Sequence, residues 1–393
     1  MSRQVVLRVL LTTALLGFIS LFPLRNSVGQ AEDYIQDYCS AQAWLKGEDP
    51  YQDLHEMRRT SGFDGPGNIV AYNPHPPLAV LLTVPFSYLS FYLSWRVQQG
   101  VQLFVLAIAW NWAGKLFGYR SWRFSALGGL TVLWAPIWQG LDWGQPVGII
   151  AFLAVMLWAL ARDSRPVLCG VGLCAACLIR PFFFLISAVA ITWSLKRFMI
   201  AALAALATTF LMFALIGVWP WTWTEKAAEA GQFSALCGSI PGVLGLNSKI
   251  GMVLFFAMLI PVALVRSRAN NPDLGVAMAL TQAMLTYTHA WFQYDVSLLP
   301  VVIWIVSRTS MDSERSNGNQ RLALRLAFLY IVLRALPSMA TGSSIELWIQ
   351  VIGRSMLLIA AWLTSEDEDR HSNLEPTEPR DGPRPPESSL SDV

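Results

Sequence analysis

Long apolar runs separated by short polar breaks cover most of the chain, at about 4–23, 77–92, 94–114, 125–141, 146–161, 166–179, 181–196, 198–219, 250–265, 274–290, 295–307, 321–337 and 345–363. An upright span needs roughly 20 apolar residues, and several of these runs are shorter. The pattern therefore predicts an all-α polytopic membrane bundle of about 11–13 transmembrane helices, some of them broken or re-entrant. Lys115, Arg120 and Arg123, Arg162 and Arg165, Lys196 and Arg197, Arg266 and Arg268, and Arg308, Arg315 and Arg321 mark one side as cytoplasmic. The other side receives 24–76, 141–146, 220–249, 287–294 and 337–345, and both termini then fall in the cytoplasm. Two full crossings between Pro77 and Gly114 would place Lys115 on the wrong side, so 77–92, interrupted by Pro85, is expected to be short or re-entrant. Arg180-Pro181 divides another apolar stretch, which is tolerable only where the freed backbone faces protein or water.

Residues 24–76 form the longest polar interval, and this first outer loop is where chemistry is expected. From Asp33 to Lys46, Tyr34, Tyr38, Ala41 and Leu45 recur at helical spacing and Gly47 is a natural stop. Such a helix is expected to lie along the outer interface, aromatic residues among the headgroups. Asp33 and Asp37 sit one turn apart on it, and a carboxylate so placed can serve as a general base. Spacing alone does not separate that role from two solvated carboxylates in a first helical turn. Tyr51, His55, Tyr72 and His75 share the loop, and prolines 74, 76 and 77 stiffen its return to the membrane. Tyr72 and His75 can line a site or simply suit the interfacial belt.

Four further places carry polar chemistry. Gln145, in the short turn Trp143-Gly144-Gln145, can bond a sugar hydroxyl or cap a helix. Arg180 is ionisable inside an apolar stretch, where such residues mark functional sites, and its guanidinium can bind a phosphate bidentately. His289 lies at the outer end of a span close to Tyr294 and Asp295, and Asn247, Ser248 and Lys249 end the second long outer loop. There is no P-loop, no metal-binding histidine pair and no nucleophile elbow.

Composition narrows the class without changing the map. Of 393 residues, 54% are hydrophobic and only 14% charged, and the mean hydropathy is +0.45, outside the balance of soluble domains. A net charge of +2 with no basic stripe excludes a nucleic-acid partner. Met1 to Pro23 lacks a small-x-small cleavage site and reads as a first span, not a removed signal. Cys169, Cys174 and Cys177 suit membrane packing; Cys39 and Cys237 both fall in outer loops, so a disulfide between them is open. Residues 1–364 form one membrane domain, with outer loops 24–76 and 220–249. The acidic, Pro- and Ser-rich stretch 365–393 is expected to be a disordered cytoplasmic tail, in which Asp367 and Asp369 form a chance D-x-D spacing and no metal site.

Asp33-Tyr34 with Tyr38, Ala41, Leu45, Gly47 and Pro50-Tyr51, then Tyr72 and Pro76-Pro77-Leu78, resembles the opening of glycosyltransferase family 87. The resemblance continues through Gly144-Gln145, Arg180-Pro181 where the family often has Lys-Pro, Asn247-Ser248, and Trp291 with Tyr294 before Pro300, over about residues 5 to 360. It implies a GT-C bundle, typified by polyprenol-phosphate-mannose-dependent mannosyltransferases. By position the family's catalytic aspartate falls on Asp33, with Asp37 the second choice, and His289 matches its active-site histidine although Thr288 and Ala290 depart from the usual flanks. The implied reaction moves a hexose, mannose first, from a polyprenyl-phosphate sugar to a lipid or glycan acceptor on the extracytoplasmic face of the cell membrane. Asp33 deprotonates the acceptor, the anomeric carbon inverts, and Arg180 or Lys249 holds the donor phosphate. Tyr51, Tyr72, His75, Gln145, Asn247 and Tyr294 complete the expected substrate contacts, and no metal or other cofactor is required. Two readings stand beside it: an arabinofuranosyl transferase of the same superfamily, and a lipid-substrate transporter or flippase. Broken helices favour the latter and the lack of an internal repeat disfavours it.

Overall fold

The computed structural model describes residues 3–24, 31–61, 72–163, 165–190, 193–229, 237–269, 271–310, 318–335 and 344–372. Every regular element among them is helical, as the apolar pattern predicts for a polytopic membrane protein. Among the described residues, four helical stretches are long and apolar enough to cross a bilayer: Arg3–Ser20, Leu195–Ile216, Lys249–Ser267 and Ile345–Ser365. A fifth is the pair Pro77–Phe86 and Phe91–Leu116, which turns through 111° at a short break. That bend falls in the stretch expected to be short or re-entrant, just beyond Pro85.

The number of long spans is below the 11–13 read from hydropathy because several apolar runs are broken. Residues 125–141 divide into Trp122–Leu130, a 3-10 turn Thr131–Leu133 and Ala135–Trp143. The run 166–196 divides into Pro166–Cys177, a 3-10 turn Pro181–Ile186 and Ser187–Ala190. Each break lies beside a proline, whose ring and missing N–H end the helical ladder. In the second outer loop, Pro220–Glu229 and Ile240–Val243 are helical. The last helix, Ser344–Ser372, runs into the proposed tail, and 373–393 lie outside the described residues.

At the centre are Val147–Asp163 and Pro272–Thr286, both buried along most of their length. Gly148 lets the first press against Phe91–Leu116, since a Cβ there would overlap the carbonyl group of Gln102. The two central helices run in opposite directions. Arg162, near the end of one, grips Asp273, at the start of the other, through Nε and Nη2. Trp158 Nε1 donates to the same carboxylate at 2.8 Å.

One expectation about the first outer loop is overturned. The helix forms, at Glu32–Leu45, but its aromatic face is enclosed by protein. Tyr34, Ile35, Tyr38 and Cys39 pack with Leu54, Met57, Phe91 and Trp95. Ala41 and Tyr51 pack with Val80 and Ile216. The phenols that suggested an interfacial belt have internal partners: Tyr34 OH shares a hydrogen bond with Ser94 Oγ, and Tyr38 OH donates to Leu89 O at 2.8 Å. Buried Tyr is stable where its hydroxyl is satisfied. Cys39 and Cys237 are both buried and no disulfide joins them.

Candidate active site

The loop helix presents Asp33 and Asp37 one turn apart, and the structure gives them different surroundings. Asp37 is buried. Its Oδ1 accepts from Asn73 Nδ2 at 3.0 Å and lies 2.9 Å from His75 Nδ1. Asn73 Oδ1 in turn accepts the His75 backbone N–H at 2.9 Å, which closes a bracket stiffened by Pro74 and Pro76. From behind, Tyr51 OH and Trp223 Nε1 donate to the His75 carbonyl at 3.0 and 3.2 Å. Tyr51 is thus a brace for His75.

Asp33 is half-buried. Its Oδ2 accepts from Gln145 Nε2, while Gln145 Oε1 accepts from Arg180 Nη2. A chain of hydrogen bonds, Arg180 to Gln145 to Asp33, therefore runs from one helix break to the loop helix. Both turns that build it follow from local sequence. Arg180 precedes Pro181 and so leaves the helical region (φ −148°, ψ 114°). Gly144 ends Ala135–Trp143 in the left-handed region at φ 81°, and Gln145 N–H closes onto Gly140 O at 2.7 Å.

Gly144 is also where the loop helix docks. A Cβ there would overlap Tyr34 Cβ and lie 3.1 Å from Tyr34 Cα. Gly144→Ala combines that overlap with a left-handed conformation costing about 1–2 kcal/mol. It is expected to lower the melting temperature and to reduce activity further than the loss of folded protein explains, because Tyr34 neighbours Asp33. Thermal unfolding and initial rates on the same preparation check this.

Burial pushes the Asp33 carboxyl up, and neighbouring Asp37 adds to this; His75, the Gln145 bond and Arg180 oppose it, leaving Asp33 above the ordinary aspartate value. Burial also acts on Asp37, but His75, the bonds from His75 and Asn73, and Arg180 outweigh it and hold that carboxyl below the ordinary value. Two aspartates of one helix are thereby pushed apart, the arrangement in which one of a pair takes a proton-transfer role.

Arg180 is 2% exposed and its guanidinium stacks 5.2 Å from the centre of the Tyr294 ring. Nη1 donates to Ile179 O at 2.7 Å and Nη2 donates to Gln145 Oε1. The third nitrogen, Nε, is buried without a hydrogen-bond partner among the described residues. Gln293, one residue before Tyr294, has both amide atoms in the same condition. It packs close to Gln145, since a Cβ on Gly140 would touch the Cβ atoms of both. Buried polar atoms without partners leave unused hydrogen-bonding capacity beside Gln145.

Other predicted site residues lie apart from this chain of bonds. Tyr72 holds the Lys226 ammonium 3.7 Å above its ring. Asn247 is exposed and caps Ser248–Ala257 by accepting from Lys249 N at 2.8 Å; Lys249 is exposed too. His289 is half-buried, its Nδ1 is 3.0 Å from Thr288 Oγ1, and burial lowers its pKa. The histidine bonded to Asp37 is His75. His55 is exposed. Asn73 and Gln293 were not singled out in the sequence, where neither carries a signal. Among the described residues no cluster of three His, Cys, Asp or Glu side chains is arranged to hold a metal ion.

Comparison with protein families matches residues 73–292, more than half of the chain, to glycosyltransferase family 87. The chain belongs to that family. No curated protein matches it significantly. As a family 87 glycosyltransferase it is an enzyme with a sugar donor and an acceptor, which decides against the transporter reading. The family 87 match encloses Asn73, His75, Gln145, Arg180 and His289, and begins after both aspartates.

Proposed function

We propose that this family 87 enzyme is a GT-C-type transferase moving a hexosyl group, mannosyl first, from a polyprenyl-phosphate sugar to an acceptor hydroxyl on the extracytoplasmic face. The observation that carries the reading is the chain from Arg180 through Gln145 to Asp33, with the Asp37–His75 pair beside it. Asp33 takes the proton of the acceptor hydroxyl as its oxygen bonds to the anomeric carbon. The bond from that carbon to the phosphate oxygen breaks, polyprenyl phosphate leaves with the electron pair, and the configuration inverts. Arg180 supplies positive charge and one N–H toward the leaving phosphate, and Gln293 offers a donor and an acceptor to the sugar or phosphate. Asp37, tied to His75 and Asn73, holds the bracket. His289 and Lys249 remain candidates for acceptor and phosphate contact.

A base whose pKa is raised loses function as pH falls through that raised value. The acid limb of the kcat/KM profile is therefore expected above the ordinary aspartate value. A limb below it would favour Asp37, whose pKa is depressed. Asp37's contribution to stability has the opposite placement: it is present above the unfolded-state value and lost as pH falls through the lowered folded value.

The donor is tested by incubating membranes containing the full chain with radiolabelled polyprenyl-phosphate mannose and following label into acceptor. Transfer supports the reading. Transfer only from a polyprenyl-phosphate pentose would replace the sugar and keep the mechanism, whereas transfer only from sugar nucleotides would overturn the donor class.

A further inference from the structure

At the end of the bundle away from Gln145, a cavity of about 430 Å³ is lined by Leu116, Phe117, Arg162, Asp273, Ser307 and Arg308, among others. The separation follows from helix length. Val147–Asp163 starts beside Gln145 and has 17 residues, which carries Arg162 about 22 Å away at 1.5 Å per residue.

Among the described residues, the lining sets Arg162 and Arg308 against Asp273. Asp273 is its buried anion, and Arg162 grips both carboxylate oxygens while donating from Nη1 to Leu116 O at 2.9 Å. A second guanidinium, Arg308 Nη2, stands 3.5 Å from Asp273 Oδ2 with its side chain 43% exposed. Two arginines of the lining thus address one aspartate. Arg162 is immobilised, stacked 5.2 Å from the Phe117 ring centre, while Arg308 reaches the cavity from its rim.

Leu116 and Phe117, which Arg162 touches, give the cavity an apolar part of its lining. Exposed Lys115 directly precedes Leu116 of the lining, and Arg308 stands at the rim. A cationic rim with a partly apolar lining fits a ligand with an anionic head and an apolar body. Arginine favours phosphate among anions because its planar donors match phosphate oxygens.

We infer that this cavity is a binding site for a phosphate group, with Arg308 as its principal contact and Arg162 as a fixed charge behind it. It is separate from the donor phosphate proposed at Arg180. An anionic lipid headgroup and a soluble phosphate share this chemistry, and the apolar part of the lining favours the lipid. Phe91–Leu116 packs on the loop helix at its start and lines this cavity at its end, and Val147–Asp163 runs from beside Gln145 to Arg162, so occupancy here stiffens the frame of the active site.

The test uses the full chain purified in neutral detergent, with thermal unfolding followed on titration with phosphatidylglycerol, phosphatidylcholine or inorganic phosphate. Phosphatidylglycerol is expected to raise the melting temperature of wild type. Arg308→Gln, which leaves the Arg162–Asp273 pair intact, is expected to shift the titration midpoint roughly tenfold to higher lipid, as for loss of one charge-assisted bond. Arg308→Lys should recover part of the shift, and Arg165→Gln, 64% exposed and outside the cavity, should change nothing. Stabilisation by phosphatidylglycerol alone assigns the lipid source; matching stabilisation by inorganic phosphate assigns a soluble one. Equal titrations of wild type and Arg308→Gln, an equal loss in Arg165→Gln, equal potency of phosphatidylcholine, or no stabilisation by any of the three would overturn the site.

Discussion

Asp33→Asn is expected to lower the transfer rate at saturating substrates by roughly 10²–10⁴-fold, the usual contribution of a positioned general base. Asparagine keeps the shape of the side chain and can still bond Gln145, so the loop helix should hold its place, but it cannot take up the acceptor proton. Asp37 cannot readily substitute, because His75 and Asn73 engage it and its proton affinity is lowered. Initial rates of label transfer, normalised to inserted protein, measure the effect. Activity within a few-fold of wild type would remove Asp33 from the chemistry.

The second large effect is on stability. Asp295 is fully buried, accepting from Arg334 Nε at 2.6 Å and Arg354 Nε at 2.7 Å. Arg354, also fully buried, donates further to Gly238 O and, at 2.9 Å, to Met284 O. This cluster ties the C-terminal helices Gly318–Ala335 and Ser344–Ser372 to the turn that carries Gln293 and Tyr294. Asp295→Asn leaves two guanidinium groups in the interior without their counter-charge. Breaking a buried ion pair on one side costs about 3–5 kcal/mol. Thermal or denaturant unfolding in detergent should record a loss of that order, with activity falling as Tyr294 loses its anchor under Arg180. A loss below about 1 kcal/mol would mean that the arginines find water or other acceptors.

How far the sequence carried the account depended on whether a feature was local. The loop helix was legible because Tyr34, Tyr38, Ala41 and Leu45 repeat at helical spacing over one short stretch, and it forms within one residue of the expected bounds. The breaks near Pro85 and at Arg180-Pro181 were legible because proline acts on its own neighbours. What the aromatic face of the loop helix meets was not. Ser94 is 60 residues from Tyr34, and nothing in the spacing distinguishes a phenol at a membrane surface from one bonded inside the protein.

Charge carried a similar ambiguity. Arg162 was useful as a marker of one membrane side, yet its partner Asp273 is 111 residues away and had no visible connection to it. Arg334 and Arg354 find Asp295 over 39 and 59 residues, so the cluster that fixes the Tyr294 turn left no motif. Within the site, Gln145 and Arg180 were legible as polar residues at helix breaks, but their joining to Asp33 is a property of packing. His75 and His289 were both candidates, and the bond to Asp37 belongs to His75 because Asn73 and the flanking prolines aim it there.

Chemical rescue by a small carboxylate tests the proposed base most directly. Asp33→Ala and Asp37→Ala would be assayed for label transfer from the lipid-phosphate sugar with and without formate, at a pH above the acid limb. If Asp33 is the base, Asp33→Ala is nearly inactive and formate restores part of its rate, whereas Asp37→Ala is not restored. Rescue of Asp37→Ala alone, or transfer by Asp33→Ala near the wild-type rate without formate, would contradict the assignment.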